Sequence, residues 1–445
     1  MKALSLFTGA GIGDIGLHAA GFDFVGFCEL EGDRLELAKY NFPDADFFVG
    51  DIWDSHEKII NNFKNTEIKL ITCTAPCQGM SKNGQGTLLK NIREGKRPKL
   101  DPRNRLIIPA LNIMKALKPE FVIFENVTEM RRTYIEGSDG KIISILDLIK
   151  KELGPDYAGD AYDVEFANYG IPQRRQRLIT VYSRNEMHRK LLNYECRLIP
   201  EETHSKEGMN GKQKWVSVAE VIKNFPVLDA STLKKANDSQ VEYHRVPLLD
   251  EEKYFWVSNT PAGRSAFDNQ CVKCGYQDNP NHSTSRNRQG INQSSKTTPI
   301  HCAKCNSLLP RPTVKDESGE LRIMSGFTSA YKRMPADLPS PTLTRNFSYA
   351  CSDSKIHPYQ NRVLSIAEAL KIHTLSEYPY KWVRSTEKGS IPANDGLIRL
   401  VIGESIPPKF MELLGNYLIN TSDAKFKFSI KKGMQVALFK GEYEC

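Results

Sequence analysis

Five residues in three separated segments have side chains that could together perform covalent and acid–base chemistry. They are Cys77 in an Ala-Pro-Cys-Gln-Gly segment, Glu125 and Asn126 in a second segment, and Arg175 and Arg177 in a third. A thiolate can add to an electrophilic carbon, while carboxyl and guanidinium groups can hold a substrate and stabilise the charge that develops on it. A lone cysteine is more often a small core residue, and a basic run more often faces solvent, so the elements around these residues decide the interpretation.

The first 185 residues alternate β-rich and helix-like segments. This order predicts an α/β fold, a doubly wound and mostly parallel sheet whose ligands bind beyond the carboxyl ends of the strands. Cys77 and Glu125 each follow a predicted strand, so their side chains should face one cleft. Strands are predicted at Lys2–Thr8, Phe24–Cys28, Asp46–Val49, Lys69–Cys73, Phe121–Phe124, Tyr162–Ala167 and Arg177–Tyr182. Helices are predicted at Asp14–Ala20, Asp33–Asn41, His56–Phe63, Asn104–Leu117, Ile142–Leu153 and Pro407–Ile419.

A glycine-spaced turn after the first strand predicts a cofactor site. It runs from Phe7 to Gly13 and leads into a helix, whose start offers free N–H groups. Glu29 and Asp51 end the next two strands, where carboxylates can take a ribose hydroxyl pair and an adenine amino group. Such acids repel a pyrophosphate but suit a sulfonium cation, which favours S-adenosylmethionine over a dinucleotide. Each acid taken alone could be a solvated strand end.

Length and charge indicate more than one domain and a polyanionic partner. The 445 residues carry a net charge of +8, unevenly distributed. Residues 1–80 hold six Lys/Arg and twelve Asp/Glu, whereas residues 81–135 hold twelve and five. The second segment therefore suits a nucleic acid, although a solvated basic face is the alternative. Because neither an apolar run of membrane length nor an apolar signal core is present, we expect a cytoplasmic protein.

The order of the motifs resembles that of the cytosine-5 DNA methyltransferases, in particular those of prokaryotic restriction–modification systems. The match spans residues 3–182 and 340–419 and leaves the middle of the chain without a counterpart. Its motifs are Phe7–Gly13, Glu29, Asp51, Pro76–Gln78, Arg103–Asn104, Glu125–Val127, Gln173–Arg177, Pro341–Thr344, Arg362–Ser365 with Glu368, and Gly403–Pro408.

The resemblance implies transfer of a methyl group from S-adenosylmethionine to carbon 5 of a cytosine in duplex DNA. Carbon 5 accepts a methyl group only after a nucleophile has added to carbon 6. Cys77 would add there, Glu125 would hold ring nitrogen 3 and the amino group, and Arg175 and Arg177 would support them. Asn126 would orient the loop. Because a stacked base hides its ring face, the cytosine would be flipped out of the duplex.

The resemblance also completes the predicted cofactor site. One departure is Glu404, since the family usually has asparagine there, and the local hydrogen bonding is left open. The predicted cofactor-binding residues are Phe7, Thr8, Gly9, Gly11, Gly13, Glu29, Leu30, Asp51, Ile52, Pro76 and Ser405.

Four parts of the chain follow from this interpretation. We expect a catalytic, S-adenosylmethionine-binding domain at 1–185 and a smaller target-recognition domain at 186–345. Residues 346–400 would form the end of the small domain and a connection. Residues 401–445 would form a C-terminal helix that returns to the catalytic domain.

Two cysteine pairs in the middle of the chain predict a structural zinc ion. Cys271 and Cys274 are separated by 27 residues from Cys302 and Cys305, and four thiolates form a usual tetrahedral zinc site. The alternative is four unliganded thiols. We expect a zinc-ribbon-like module at about 268–310. The predicted DNA contacts are Ser81, Lys82, Arg97, Arg264, Arg286 and Arg288. The alternative is that the ribbon only stabilises the protein and does not contact DNA.

Double-stranded DNA is the expected partner, and we expect the chain to act as a monomer. The resemblance to restriction–modification enzymes also implies a cognate restriction endonuclease that acts on the same site without a stable complex. Two other functions remain open. One is a transfer RNA cytosine-5 methyltransferase, against which the large middle region argues. The other is a noncatalytic zinc-containing DNA-binding protein, against which the intact Cys77, Glu125 and Arg175 argue.

Overall fold

The computed structural model describes residues 1–76, 101–137, 140–286, 292–325 and 329–422. The predicted nucleophile Cys77 lies outside the described residues, as do Ser81, Lys82, Arg97 and Arg288.

The described β-strands are short except in the first part of the chain. They are β1 Lys2–Leu6, β2 Asp23–Glu29, β3 Asp46–Val49, β4 Leu70–Cys73, β5 Phe121–Asn126, β6 Tyr134–Glu136, β7 Ile142–Ser144, β8 Ala158–Glu165, β9 Gln173–Arg174, β10 Gln176–Ser183, β11 His204–Ser205, β12 Gln213–Lys214, β13 Thr284–Arg286, β14 Asn292–Ser294, β15 Thr313–Lys315, β16 Leu321–Ile323, β17 Ser340–Pro341, β18 Val383–Thr386 and β19 Gly389–Pro392.

The described α-helices lie between these strands and after the last of them. They are α1 Ile12–Ala19, α2 Gly32–Asn41, α3 Ile52–Phe63, α4 Ile107–Leu117, α5 Ile145–Leu153, α6 Glu186–Asn193, α7 Val218–Ile222, α8 Glu251–Ser258, α9 Ile366–Ile372, α10 Asp395–Glu404 and α11 Pro408–Ser422. None of the helices in the described ranges has both the length and the apolarity that a membrane span requires.

A seven-stranded sheet organises the first part of the chain, in the order β3-β2-β1-β4-β5-β10-β8. Strands β1 to β5 pair in parallel, and β10 runs antiparallel between β5 and β8. Large apolar clusters pack on the sheet. The buried β5, Phe-Val-Ile-Phe-Glu-Asn, shows the continuous apolar run typical of a strand covered on both faces. The predicted doubly wound, mostly parallel sheet is confirmed.

Several predicted elements begin at other residues than expected: α3 begins at Ile52 and not at His56, α4 at Ile107 and not at Asn104, and β8 at Ala158 and not at Tyr162. One more predicted helix is a strand at its start. The sequence pattern predicts a helix over Ile142–Leu153, but Ile142–Ser144 forms β7, which pairs antiparallel with β6. The helix begins only at Ile145, because the Ser144 hydroxyl accepts a hydrogen bond from the backbone N–H of Asp147 and caps it. Isoleucines at helical spacing fit a strand equally well when a partner strand is available.

The last described helix, α11, packs on α1. Gly16 of α1 lies so close to α11 that an added Cβ would be 2.0 Å from the carbonyl oxygen of Pro408, which only glycine allows. The apolar cluster that contains Leu17 and Phe22 also contains Phe410 and Leu414 of α11. The last two described helices, α10 and α11, therefore lie beside the carboxyl ends of the strands and contribute residues to a cavity there.

The middle of the chain has its own apolar cluster, formed by residues between Leu228 and Val363. Trp256, Phe267 and Tyr331 are its largest buried members. Residues Ser340–Pro341 of β17 pair in parallel with Gln173–Arg174 of β9, which directly precedes β10 in the sequence and forms a separate two-stranded sheet with β17. The four-part division of the chain stays a prediction.

Candidate active site

A cavity of about 700 Å³ lies at the carboxyl ends of β1 to β5. Its wall contains most of the residues predicted for the cofactor and all of those predicted for catalysis that the structure describes. Gly11 does not line it. The predicted residues in the wall are Phe7, Thr8, Gly9, Gly13, Glu29, Leu30, Asp51, Ile52, Pro76, Glu125, Asn126, Arg175, Arg177 and Ser405.

The glycine turn is shaped by left-handed backbone conformations. Phe7, Gly9 and Gly11 have φ values of 59°, 55° and 73°. The two glycines adopt this conformation without strain, because they have no Cβ atom. An added Cβ at Gly11 would lie 3.0 Å from the ring of Phe42. Gly11 therefore lets the turn pack closely on α2, while its neighbours face the cavity.

Glu29 connects the turn to the end of β2. Its carboxylate accepts hydrogen bonds from the backbone N–H of Gly9 at 2.7 Å and of Glu31 at 3.1 Å. Asp51 caps α3 by accepting from the backbone N–H of Trp53 at 2.9 Å. Leu30 is 61% exposed and lines the same cavity, so it adds apolar surface to this part of the wall. Two carboxylates beside exposed apolar surface match the needs of an adenosine group.

The catalytic acid predicted at position 125 is paired with an arginine. The Arg177 Nε atom lies 2.8 Å from Glu125 Oε1, and both side chains are largely buried. These residues occupy the ends of β5 and β10, which pair antiparallel with Ile179 opposite Glu125. The sheet register therefore fixes a carboxylate and a guanidinium side by side in the cavity wall.

Asn126 links β5 to the segment that leads to Cys77. Its side-chain amide donates to the carbonyl of Ala75 at 3.0 Å, and its Oδ1 accepts from the N–H of Val127 at 2.9 Å. The Thr74 hydroxyl donates to the Phe7 carbonyl at 2.6 Å. Residues 74–76 are thereby tied to both the glycine turn and β5, and all three line the cavity.

Arg175 and Arg177 do not perform the same task, although both line the cavity. The buried Arg175 guanidinium donates to the carbonyls of Leu343, Gly403 and Glu404 at 2.9, 3.1 and 3.3 Å. It fastens two segments from the end of the chain to the sheet. Arg177, by contrast, pairs with the carboxylate of Glu125.

Ser405 belongs to a buried chain of hydrogen bonds. The Gln173 side-chain amide lies 3.2 Å from His373 Nδ1, and His373 Nε2 lies 2.8 Å from the Ser405 hydroxyl. An amide nitrogen can only donate, so Nδ1 accepts and Nε2 carries the proton that is donated to Ser405. Burial holds the pKa of His373 well below its usual range, and the neighbouring Arg175 lowers it further. The ring is therefore neutral and orients the serine.

Asp14 is a cavity residue that sequence reasoning missed. Its buried carboxylate accepts hydrogen bonds from the hydroxyls of Ser5 and Thr8, both at 2.8 Å, and of Thr72 at 3.3 Å. Burial raises the pKa of Asp14 to about 6 despite these three donors. No local motif marks such a group, because its hydroxyl partners come from β1, the turn and β4.

Glu404, the departure from the family's asparagine, forms an ion pair. Its Oε2 lies 3.0 Å from Nη1 of Arg34 on α2, and its Oε1 lies 4.0 Å from Nη1 of Arg345. Burial raises the pKa of Glu404, as do the nearby Glu29 and Glu31, while Arg34 opposes the shift. Neither arginine was predicted as a site residue.

The four cysteines of the middle region come together as predicted. Their sulfur atoms all lie within 4.8 Å of one another, and among the described residues this is the one group of three or more potential metal ligands of its kind. The separations of Cys274 from Cys271 and Cys302 are 3.5 and 3.7 Å, and Cys271 lies 3.6 Å from Cys305. The Arg311 guanidinium donates to the carbonyls of Asn269, Pro280 and Pro299 around this cluster.

The described DNA-contact candidates lie in the same region. Arg264 is exposed, and its carbonyl accepts from the backbone N–H of Arg333. Arg286 ends β13, opposite Asn292 of β14.

A doubly wound sheet with this cavity is the architecture of an S-adenosylmethionine-dependent methyltransferase. The family model described as C-5 cytosine-specific DNA methylase matches residues 1–420. The chain belongs to this family: it is a DNA cytosine-5 methyltransferase, and the family implies S-adenosylmethionine as the methyl donor.

Individual relatives cover the chain almost completely. The Type II methyltransferase M1.HgaI of Avibacterium volantium is 27% identical over 433 residues, which are 94% of this chain and 98% of that protein. The Type II methyltransferase M.DdeI of Desulfomicrobium norvegicum is 22% identical over 98% of this chain and 95% of its own. A crystal structure of the S. pombe Dnmt2 methyltransferase covers 94% of this chain and 98% of its own, with 13% identity and a TM-score of 0.48.

Proposed function

We propose that this chain methylates a cytosine flipped out of a specific duplex DNA sequence and that Cys77 is the covalent nucleophile. The observation that carries the proposal is the cavity itself. Its lining contains the Glu125–Arg177 pair, the carboxylates of Glu29 and Asp51, and Pro76, the residue before Cys77 in the sequence.

The chain's own residues divide the work of the reaction. The Cys77 sulfur bonds to carbon 6 of the ring, and the electron pair of the 5,6 double bond moves to carbon 5. S-adenosylmethionine, when bound, would supply the electrophilic methyl group that carbon 5 takes, and it would leave as S-adenosylhomocysteine, whose sulfur keeps the electron pair of the broken bond. Loss of the carbon 5 proton to water then restores the double bond and expels the Cys77 thiolate. Glu125 holds ring nitrogen 3 and the amino group, and Arg177 orients Glu125 and stabilises charge on the ring.

The remaining predicted residues hold the two substrates. Glu29 would bind the ribose hydroxyls, Asp51 the adenine amino group, and Leu30 and Ile52 the adenine ring. Ser405, oriented by His373, would complete the cofactor wall. Arg175 acts as a positioning residue, because its guanidinium donates to protein carbonyls.

A zinc ion in the cysteine cluster is the second part of the proposal. Zinc–sulfur bonds of about 2.3 Å in a tetrahedron place neighbouring sulfurs roughly 3.8 Å apart. Three of the six separations, at 3.5 to 3.7 Å, are close to this distance, and all six are within 4.8 Å. The ion would stabilise a module that presents Arg264, Arg286 and Arg288 to DNA, and its closed set of four sulfurs leaves no position for catalysis.

The setting that we propose is a restriction–modification system, since the matched relatives carry Type II methyltransferase names. In that setting the enzyme protects its recognition sequence from an endonuclease. Sequencing bisulfite-treated DNA from cells that express the chain would identify the recognition sequence.

Covalent trapping tests the proposed nucleophile. DNA that contains 5-fluorocytosine in the recognition sequence blocks proton loss, so the adduct should persist in the presence of S-adenosylmethionine and shift the protein on a denaturing gel. Cys77→Ser should abolish the shift, whereas Cys351→Ser, at an exposed cysteine, should retain it. A transfer RNA substrate serves as the comparison nucleic acid. An undiminished adduct in Cys77→Ser would refute the assignment.

A further inference from the structure

The wall of the active-site cavity contains a charged group that the proposed reaction does not use. It consists of Arg34 in the first turn of α2, Glu404 at the end of α10, and Arg345. The Arg34 and Glu404 side chains are only 23% and 34% exposed, and their charged atoms are 3.0 Å apart. The pair joins the cofactor side of the sheet to the end of the chain.

A second ion pair on α2 has similar exposure but does not line the cavity, so it serves as a comparison. Arg384 lies 2.6 Å from Glu36 of α2, and each side chain is 24% exposed. Neither residue lines the cavity, and a partly exposed pair of this kind contributes little to stability. Two pairs on one helix, alike in exposure, therefore differ in whether they face the cavity.

Elimination among the cavity's arginines points to Arg34 and Arg345. Within the described part of the wall, Arg177 is held by Glu125 and Arg175 by three carbonyls. Arg103 pairs with Asp101. Arg34 and Arg345 instead share one carboxylate, that of Glu404, and so keep donor capacity for a ligand.

The methyl donor has one part for which the proposed site names no partner. Its adenine and ribose are assigned to Asp51 and Glu29, but its amino-acid end carries both a carboxylate and an ammonium group. A carboxylate in a cavity lined by Glu29, Glu31 and Asp51 would be repelled unless a cation stands beside it. A guanidinium and a carboxylate side by side match the two charges of such an end.

We propose that Arg34, held in place by Glu404 and assisted by Arg345, binds the carboxylate of the cofactor's amino-acid end, and that Glu404 accepts its ammonium group. This inference rests on the proposed cofactor site. It also gives a role to Glu404 at the family's asparagine position. The carboxylate of Glu404 holds Arg34 in place and accepts the ammonium group.

Two ligands that differ only at the amino-acid end provide the test. S-adenosylhomocysteine carries that end, whereas 5′-methylthioadenosine keeps the adenosine and the thioether and lacks it. Calorimetric titration of the full chain measures both affinities without any turnover. Arg34→Ala should weaken S-adenosylhomocysteine binding by about 10- to 100-fold, the range of a charge-assisted hydrogen bond, and 5′-methylthioadenosine binding by less than about twofold.

Arg384→Ala is the matched control and should leave both affinities unchanged. Glu404→Gln keeps the side-chain shape and should also reduce only S-adenosylhomocysteine binding; it replaces Arg34→Ala if that variant does not fold. Equal losses for the two ligands, or no loss for either, would overturn the inference. A wild-type chain that binds neither ligand would instead refute the proposed cofactor site.

Discussion

The strand-end cavity and the four-cysteine cluster both collect residues that lie far apart in the sequence, but different forces assemble them. Register between β5 and β10 places Glu125 beside Arg177, and the apolar clusters on the sheet keep those strands in position. The cysteine cluster has an apolar group of only a few buried residues, among them Leu309. Packing of a large core can hold paired charges in place, whereas we expect the small cysteine cluster to need the proposed zinc ion.

This comparison predicts that loss of one zinc ligand has the largest effect and remains local. Cys271→Ser should abolish zinc binding and unfold the module, because structural zinc contributes on the order of 10 kcal/mol to such folds. Zinc per chain, measured by mass spectrometry, should fall from one to near zero, and specific DNA binding should fall with it.

S-adenosylhomocysteine affinity should stay within about twofold in this variant, since the cavity has its own core. Cys351→Ser is the control, because that exposed cysteine lies outside the cluster. Wild-type protein without zinc that nevertheless binds DNA specifically would contradict the comparison.

In the cavity, Glu125→Gln should act on the reaction and not on the fold. The substitution keeps the size of the side chain but removes the carboxylate that faces Arg177 at 2.8 Å. We expect the turnover rate to fall by about 10²- to 10³-fold, as for other groups that stabilise developing charge. Glu120→Gln, at a carboxylate paired with Lys69 just before the start of β5, should retain activity. A threefold or smaller loss in Glu125→Gln would remove Glu125 from the mechanism.

The buried Asp14 predicts a pH dependence of stability within the catalytic region. Its folded-state pKa of about 6 lies above the ordinary value of 3.8, so the cost of its charge grows as pH rises through this interval. Two pKa units correspond to roughly 3 kcal/mol at high pH, of which roughly 1.5 kcal/mol develops between about pH 5 and pH 8.

Urea unfolding of the wild type and Asp14→Asn measures this effect. Stability of the wild type relative to the variant should decrease by that amount from the lower to the higher pH. The exposed Asp23→Asn should show no such trend. A difference that is constant with pH would mean that Asp14 is not charged differently in the two states.

The smallest effect is expected at Ser405. Ser405→Ala removes the acceptor of the His373 Nε2 proton and should lower the free energy of unfolding by about 1 to 2 kcal/mol. S-adenosylhomocysteine affinity should fall a few-fold, because the neutral ring no longer fixes this part of the wall. Ser258→Ala, at an exposed serine, provides the control in the same denaturation experiment. An unchanged stability would show that the buried chain of hydrogen bonds does not hold the wall.

Much of the fold followed from the sequence because strong local patterns agreed with it. The buried run of β5 and the glycine turn were predicted at their correct places, and the four cysteines were predicted as one group. The start of α5 was wrong, because β6 offered the segment Ile142–Ser144 a partner that helical spacing does not reveal. Cys77 lies outside the described residues, so its role rests on the residues that flank it.

Residue types and their order along the chain, taken alone, determined the class of reaction, the cofactor class and the grouping of the four cysteines. Only the tertiary structure decided how the charged residues are paired. Arg34 meets Glu404 across 370 positions of sequence, and Arg175 turns to three carbonyls while Arg177 turns to Glu125. Ion pairs and hydrogen bonds form only when the two groups lie within a few ångströms of each other. Packing between elements sets those distances, and no local sequence pattern records that packing.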